Sequence, residues 1–356
     1  MDSQPSVSVV IPCRNEERTI PLVLEALERQ TYPREKTEIL IADGRSTDGT
    51  IRRIEEFHER HPKTSVRWID NPGLTAPSAL NAGLRESTGE IIVRMDAHAV
   101  PARDYVEQCV RALSQSGCDV VGGQWEIRPG TPGAVGRAIA AGVGSPFGAG
   151  GVRYRAGGRA GEVDTVPFGA FRRAVFDRVG FFNEQVPVNE DYEFFYRVRA
   201  AGGKIHFTPE IRTEYIARGG LSRLAAQYFS YGHQKAVMLS FHPRSVRIRQ
   251  LIPAMFTFCL AAGAAAAGLS HPLAIMLGAL LAVYGTASAV FSVRETVRRK
   301  DGAILPLLPI VFFCIHVSWG TGFWIGLTGS AVRRLGRRAA DKGDDTAVRR
   351  RTDSVQ

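Results

Sequence analysis

The last third of this 356-residue chain contains three long apolar segments, which restrict the fold more than any other feature. Residues 251–269, 272–291 and 303–327 carry no Asp, Glu, Lys or Arg. About 20 apolar residues are enough for a helix to cross a bilayer, and three such segments in succession are unusual in a soluble core. The sequence therefore predicts a polar domain over residues 1–245 and a membrane region over residues 246–330.

Basic residues flank these apolar segments and account for much of the net charge of +10. They are Arg244, Arg247 and Arg249 before the first segment; Arg294, Arg298, Arg299 and Lys300 between the second and third; and Arg333, Arg334, Arg337 and Arg338 after the third. This placement is typical of the cytoplasmic ends of membrane helices. The N-terminal residues lack the apolar core of a signal peptide. We therefore expect a cell-membrane protein whose first domain is cytoplasmic.

The membrane topology contains a conflict, because three full crossings cannot leave all three basic clusters on one side. Either the third apolar segment is re-entrant or interfacial, or the tail overrides its charge preference. Pro306 and Pro309 interrupt the third segment and favour a bent one. The basic tail, residues 331–356, is low in apolar residues, and we expect it to be disordered.

Several function classes are disfavoured by the sequence. There is no basic stripe with interleaved aromatic residues, so we expect no nucleic-acid partner. The five cysteines are scattered and never spaced as CxxC, which argues against a zinc site or a disulfide framework. No GxGxxG follows a strand, so the dinucleotide-binding fingerprint is absent.

In the first domain, strand patterns alternate with helix patterns. The segment SVSVVIP (6–12) predicts a strand, residues 18–30 a helix, and TEILIADG (37–44) a second strand. Further strands and helices follow in the same alternation. This order predicts an α/β fold with a mostly parallel, helix-covered sheet, whose ligands bind at the carboxyl ends of the strands.

Polar residues stand at the end of each predicted strand. They are Pro12, Arg14, Asn15 and Glu16 after the first strand, Asp43 after the second, and Asp96 and His98 after EIIVRM (90–95). Desolvating an unpaired carboxylate is costly, so such residues are not there for strand stability. Helix capping is the alternative for Asp43 and for Asp48. Capping suits Asp48 better, because Asp43 lies at the end of a strand.

Two segments further along are candidates for the same site. Residues 129–170 are rich in glycine and predict a mobile loop region lining a site, with a plain connector as the alternative. Glu190 and Asp191 begin a predicted helix that ends before Gly202. They are either a capping pair favoured by the helix dipole or functional acids.

With these motifs in order, the chain resembles the family 2 glycosyltransferases of the GT-A fold. The matching stretches over residues 7–203 are VVIPCRNEE, ILIADGRSTDGT, ALNAGL, VRMDAHA, VPFGAFRR and NEDYEFFYRVRAAGG. The DAHA form, SPFG and QYFSYGHQKAVML (227–239) resemble most the transferases of succinoglycan-type exopolysaccharide synthesis, which have a membrane-bound C-terminus. The resemblance implies a Rossmann-like sheet with helices on both faces, followed by membrane helices.

The resemblance also implies a function and its residues. It implies an inverting transfer of one sugar from a nucleotide sugar, most often a UDP-sugar, with a divalent cation, Mn²⁺ or Mg²⁺, on the diphosphate. The matching residues are Pro12, Arg14, Glu16 and Asp43 for the nucleotide, Asp96 and His98 for the metal, and Asp191 for the catalytic base, with Glu190 as the competing base. Phe168 is a candidate for stacking on a sugar.

The chain departs from the family pattern at two positions. His98 stands where the metal motif usually has its second aspartate; imidazole suits Mn²⁺ better than Mg²⁺, and the alternative is a phosphate contact. The QxxRW motif of processive relatives is absent, and Lys235 is the candidate that replaces its diphosphate contact. Its absence favours the addition of a single sugar.

Three hypotheses about function follow. The first is a glycosyltransferase that extends a polyprenyl-diphosphate-linked saccharide, with membrane and other polysaccharide-assembly proteins as partners. The second is a transferase that charges polyprenyl phosphate itself. The third is a catalytically silent membrane scaffold, which Asp43, Asp96 and Asp191 argue against.

Overall fold

The computed structural model describes residues 4–268 and 270–329. The described part of the chain forms two compact units. The first contains the described residues of Met1–Leu221 together with Gly285–Phe312, and the second contains those of Ser222–Tyr284 and from Phe313 onward. The tail over residues 331–356, predicted to be disordered, lies outside the described residues.

The first unit is built on a mixed β-sheet with nine strands in the described residues. The strands are β1 (Val7–Cys13), β2 (Thr37–Asp43), β3 (Ser65–Asp70), β4 (Ile91–Arg94), β5 (Val100–Pro101), β6 (Val120–Arg128), β7 (Gly161–Glu162), β8 (Ala170–Arg172) and β9 (Ile205–Ile216). Their order is β3-β2-β1-β4-β8-β6-β9-β5, with β7 also beside β9. Strands β3, β2, β1 and β4 are parallel, which confirms the prediction for this half. Strand β8 is antiparallel to both of its neighbours.

Helices cover this sheet and continue into the C-terminal region. They are α1 (Ile20–Glu28), α2 (Thr50–Arg60), α3 (Ala76–Glu86), α4 (Tyr105–Ser116), α5 (Ala134–Gly144), α6 (Pro146–Ala149), α7 (Arg153–Ala156), α8 (Ala174–Val179), α9 (Glu190–Ala200), α10 (Leu221–Phe241), α11 (Ile248–Ala266), α12 (His271–Arg299) and α13 (Leu308–Gly329). Short 3-10 turns occur at Arg34–Lys36, Pro243–Ser245 and Gly302–Ile304. The domain boundary predicted near residue 245 stays a prediction; the compact units divide between Leu221 and Ser222.

A cluster of phenylalanine rings docks α9 onto the sheet and so places the beginning of that helix. The rings of Phe194 and Phe195 are fully buried and lie 5.5 and 6.0 Å, between centroids, from Phe171 of β8. Asn81 of α3 exchanges two hydrogen bonds of 2.9 Å with the backbone of Phe182. These contacts bring the N-terminus of α9 to the sheet, although it is remote from β1–β4 in sequence.

The glycine-rich region, residues 129–170, is not the loop region that its composition predicted. It contains the 11-residue helix α5 and the short helices α6 and α7. A Cβ atom added to Gly142 would lie 2.4 Å from Cγ1 of Val311. Glycine and alanine therefore allow close packing of a buried helix here, and the composition does not indicate mobility.

Three helices are long and apolar enough to cross a membrane: α11, α12 and α13. Helix α12 continues to Arg299, beyond the predicted end of its segment at residue 291. Helix α13 is continuous from Leu308, with Pro309 as its second residue, where the first turn tolerates proline. The bend expected from Pro306 and Pro309 therefore does not interrupt this helix.

Candidate active site

An arginine at the end of β4 connects two acids from distant parts of the chain. Nη2 of Arg94 lies 2.9 Å from Oδ1 of Asp96 and 2.9 Å from Oε1 of Glu190. Arg94 is 8% exposed, and the two carboxylates hold its pKa above the ordinary value despite the burial that opposes its charge. Its Nε–H is buried and has no hydrogen-bond partner in the described part of the chain. Strand β4 and helix α9 thus meet in a charged cluster.

A second contact joins the loop after β1 to the loop after β4. Nδ1 of His98 lies 3.0 Å from Oε1 of Glu16, and the hydroxyl of Thr19 donates to the other carboxylate oxygen of Glu16. Burial opposes ionisation of Glu16, but the hydrogen bonds from His98 and Thr19 outweigh it and lower the pKa of the carboxyl. The same hydrogen bond raises the pKa of His98. Glu16 and His98 are therefore brought together, as predicted from the ends of their strands.

Asp43 lies beside the loop after β1, because β1 and β2 are in register with Cys13 opposite Asp43. Its carboxylate accepts hydrogen bonds from the backbone N–H (2.9 Å) and the hydroxyl (2.5 Å) of Ser46. The hydroxyl oxygen of Ser46 in turn accepts from the backbone N–H of Asn15, at 2.8 Å. These hydrogen bonds link Asp43 through Ser46 to Asn15, the residue that precedes Glu16.

Pro12 and Arg14 occupy the same end of the sheet. Pro12 is the penultimate residue of β1 and is partly exposed, whereas Arg14 follows the strand and is exposed. Gly44 leaves room for the aliphatic part of Arg14: a Cβ at position 44 would lie 3.2 Å from Cδ of Arg14. The guanidinium group is therefore available to an anionic ligand at this edge.

Glu190 and Asp191 begin α9 after a residue with a left-handed backbone, Asn189, whose φ is 62°. Glu190 is buried, and burial raises its pKa to about 7, although Arg94 opposes the rise. Burial also raises the pKa of Asp191, which is partly exposed. The two acids differ in environment: Glu190 is paired with an arginine in the interior, and Asp191 has access to solvent.

Two further predicted residues lie in surroundings that the sequence did not suggest. Phe168 is 3% exposed and has a φ of 43°; Arg94 lies 5.4 Å above its ring, so the expected stacking on a sugar is wrong in this buried position. Lys235 belongs to the second unit, where its ammonium group is buried and donates to the carbonyl (2.9 Å) and hydroxyl (3.1 Å) of Ser245. Its contact with a diphosphate stays a prediction.

The side chains around Asp96 can supply only a few ligands to a divalent cation, so oxygens of a bound phosphate would complete its coordination. Oδ2 of Asp96 and Nε2 of His98 are 4.0 Å apart, while Oδ1 is occupied by Arg94. Within residues 4–268 and 270–329, no three His, Cys, Asp or Glu side chains converge as a complete metal site. A cation that takes one carboxylate, one imidazole and several phosphate oxygens fits this arrangement.

Two arginines near these acids were not predicted from the sequence as site residues. Arg94 ends an otherwise apolar strand, IIVR, and a charge in such a strand was the available signal. Arg218, just beyond β9, is exposed, and its charge opposes protonation of His98, which places it near the same acids. No sequence pattern marks Arg218, because β9 is brought to this edge only by the fold.

Comparison with protein families identifies the domain that carries these residues. Residues 8–180 match the family model described as "Glycosyl transferase family 2". Residues 8–180 form a glycosyltransferase family 2 domain. The match includes β1 to β4 with Asp43 and Asp96, and it ends before Glu190 and Asp191. The protein is therefore a glycosyltransferase, and Asp43 and Asp96 of the matched domain lie at the carboxyl ends of its strands.

Two curated relatives extend over nearly the whole glycosyltransferase. It is 29% identical to the succinoglycan biosynthesis protein ExoA of Rhizobium meliloti, over 89% of this chain and 93% of that protein. It is 26% identical to a dolichyl N-acetyl-α-D-glucosaminyl phosphate 3-β-D-2,3-diacetamido-2,3-dideoxy-β-D-glucuronosyltransferase of Methanococcus voltae, over 90% of this chain and 97% of that protein. Both relatives therefore include counterparts of the C-terminal region.

A solved structure confirms the fold. The mannosyltransferase PcManGT of Pyrobaculum calidifontis, determined in complex with GDP-Man and Mn²⁺, superimposes with a TM-score of 0.61. The superposition covers 89% of this chain and 88% of that one at 22% identity. The predicted GT-A fold followed by apolar C-terminal helices is confirmed.

Proposed function

We propose that this glycosyltransferase is a cell-membrane enzyme that moves one sugar from a nucleotide sugar to a polyprenyl-diphosphate-linked saccharide in exopolysaccharide synthesis, with inversion at the anomeric carbon. The observation that carries the proposal is the continuous set of contacts from Glu16 through His98 and Asp96 to Arg94 and Glu190. It joins the nucleotide side of the sheet to the N-terminus of α9, where Asp191 lies.

On the donor side, Asp43 accepts a hydrogen bond from the base, and Pro12, Arg14 and Glu16 contact the nucleotide. Asp96 and His98 would hold a divalent cation, which neutralises the leaving diphosphate when it is bound. Arg94 holds Asp96 in place through the 2.9 Å contact. These assignments rest on the resemblance and on the closeness of Glu16, His98 and Asp96 at one edge.

On the acceptor side, Asp191 is the general base. An acceptor hydroxyl oxygen attacks the anomeric carbon, the bond from that carbon to the diphosphate oxygen breaks, and the hydroxyl proton passes to the Asp191 carboxylate. The negative charge leaves with the nucleoside diphosphate. Asp191 is favoured over Glu190 because it is partly exposed, whereas Glu190 is buried against Arg94. Glu190 then acts as a positioning residue.

The lipid-linked acceptor is supported by the apolar helices and by the relatives. ExoA is named for succinoglycan biosynthesis, and the Methanococcus voltae enzyme is named for a dolichyl-linked sugar phosphate. An acceptor of this kind lies in a bilayer, next to α11, α12 and α13. Nucleotide sugars are soluble anions, and the basic residues that flank the helices favour a cytoplasmic catalytic domain.

A second candidate is transfer to polyprenyl phosphate itself. It is supported by a partial relative, 30% identical over 33% of this chain, that is named as an undecaprenyl-phosphate 4-deoxy-4-formamido-L-arabinose transferase of Proteus mirabilis. The full chain in nanodiscs, given each of a panel of nucleotide sugars with Mn²⁺ or Mg²⁺, separates the two candidates. Product on the diphosphate-linked saccharide but not on polyprenyl phosphate is expected, and the reverse result would replace the first proposal with the second.

A further inference from the structure

A cleft of about 380 Å³ lies in the first unit, apart from the acids described above. Its walls come from β6, from the end of α5, from α7 and from the last residues of α12. Four arginines line it, Arg128, Arg155, Arg298 and Arg299, together with one acid, Glu126. Its volume falls within the range of small-molecule sites, roughly 300–1,000 Å³.

At the end of α12, two guanidinium groups share one carboxylate. Arg298 lies 2.5 Å and Arg299 3.5 Å from the same oxygen, Oε2 of Glu295, so one carboxylate serves both. Arg128 of β6 is paired with Glu214 at 2.9 Å and with Glu126 at 3.4 Å. Arg298 and Arg299 therefore leave positive charge for an anionic ligand to neutralise.

The aromatic wall of the cleft holds a buried hydrogen-bond donor. Trp125 is 9% exposed and stacks on Tyr215, with ring centroids 4.0 Å apart. Arg155 lies over the same indole at 4.8 Å. The indole Nε1–H is buried and has no hydrogen-bond partner in the residues that the structure describes. A buried donor left without an acceptor is unfavourable, so a ligand oxygen that reached this N–H from the cleft would stabilise it.

Ring contacts connect this cleft to the catalytic acids. The ring of Trp125 lies 5.7 Å from that of Phe168, and Arg94 lies over Phe168 at 5.4 Å. Arg94 in turn holds Asp96 and Glu190. One aromatic residue therefore separates the arginine cleft from the cluster in which we place the transfer reaction.

The position of Arg298 and Arg299 on α12 indicates the kind of ligand. The helix has 29 residues and is about 43 Å long, whereas the hydrocarbon core of a bilayer is about 30 Å thick. If the apolar part of α12 spans the bilayer, its arginine end lies just outside the hydrocarbon. An anion bound there can be attached to a chain that remains in the lipid.

We infer that this cleft binds the diphosphate of the lipid-linked acceptor, with the indole N–H of Trp125 and the guanidinium groups of Arg155 and Arg299 as its donors. The inference rests on the proposed function and names where its acceptor is held. Polyprenyl diphosphate and anionic membrane lipids are both amphiphiles with a phosphate group. The experiment must therefore separate these two ligands.

The test measures binding of polyprenyl diphosphate, without any donor, to the full chain in nanodiscs of zwitterionic lipid. We expect Arg155→Gln and Arg299→Gln each to weaken binding by at least tenfold. Trp125→Phe keeps a ring on Tyr215 but removes the N–H, and we expect a loss of about fivefold. Arg294→Gln is the matched control, because Arg294 is exposed on the same helix and does not line the cleft.

Several outcomes would overturn the inference. A loss of binding in Arg294→Gln equal to that in the cleft variants would mean attraction to general positive charge. Displacement of polyprenyl diphosphate by an equal mole fraction of phosphatidylglycerol would assign the cleft to bulk anionic lipid. Normal transfer to a diphosphate-linked acceptor by Arg155→Gln would refute the inference and leave the proposed function intact. Binding that depends on these arginines, without transfer to any acceptor, would refute the proposed function and leave the inference intact.

Discussion

Nη2 of Arg94 lies 2.9 Å from Oε1 of Glu190, and 96 positions of the chain separate the two residues. The contact connects the end of a parallel strand to the N-terminus of α9. The same nitrogen contacts Asp96, so one cation serves a metal-ligand candidate and the residue next to the candidate base. The two halves of the proposed reaction are thus held together by a buried ion pair.

Arg94→Met should destabilise the protein strongly. It removes the cation and leaves the buried Glu190 carboxylate without a partner, and breaking a buried pair in this way costs about 3–5 kcal/mol of unfolding free energy. Denaturation of the chain in detergent, followed by tryptophan fluorescence, measures the change. The double variant Arg94→Met with Glu190→Gln should recover part of the loss, because it removes the unpaired charge as well. Equal stability of the single and double variants would contradict this account.

Asp191→Asn should reduce the transfer rate by about 10³-fold, within the range of 10² to 10⁴ that general-base catalysis contributes. Donor binding should be nearly unchanged, because the residue lies on the acceptor side. Turnover of a labelled nucleotide sugar and calorimetric binding of the nucleotide measure the two effects. Asp177→Asn is the control: Asp177 is an exposed acid on α8 and should keep normal turnover. Wild-type turnover by Asp191→Asn would remove the base assignment.

The transfer rate should fall as the pH decreases from about 7. Glu190 has a pKa raised to about 7 by burial, and burial also raises the pKa of Asp191. A base must be deprotonated to act, so a raised pKa moves the acid limb of the rate profile to higher pH than an ordinary aspartate would give. The neighbouring acids titrate together, and the limb belongs to the pair. A turnover rate that stays constant between pH 8 and pH 5, at saturating donor, would argue against both acids as bases.

The dependence of donor binding on a divalent cation should change when Asp96 or His98 is replaced. Chelation should abolish transfer, and Asp96→Ala should weaken donor binding in the presence of Mn²⁺ but not in its absence. His98→Asp replaces imidazole with a carboxylate and should shift the preferred cation from Mn²⁺ towards Mg²⁺. Donor titrations with each cation measure both effects. If donor binding by Asp96→Ala keeps the full Mn²⁺ dependence, the cation lies elsewhere.

The sequence predicts correctly those residue positions that depend on local pattern or on the geometry of parallel strands. Strand ends placed Glu16 and His98 at one edge, and the structure joins them at 3.0 Å. Helical periodicity located the start of α9 at Glu190. Such features depend on spacing within one element, or on the rule that the carboxyl ends of parallel strands meet.

The rest depends on tertiary packing that spacing does not encode. Arg94 pairs with Glu190 only because phenylalanine rings dock α9 on the sheet, and the arginine cleft combines β6 with the end of α12. The glycine-rich region was misjudged because small residues serve both loops and tightly packed helices such as α5. In α13, Pro309 lies in the first turn, where proline fits, so its presence did not indicate a bend.

The left-handed backbone of Asn189 has a consequence for which sequences can maintain this centre. Its φ of 62° lies in a region that asparagine and glycine enter readily and that β-branched residues avoid. Valine or isoleucine at position 189 would turn the chain differently and redirect the carboxylates that follow. The pair at 190 and 191 is thus maintained by a torsion angle one residue upstream.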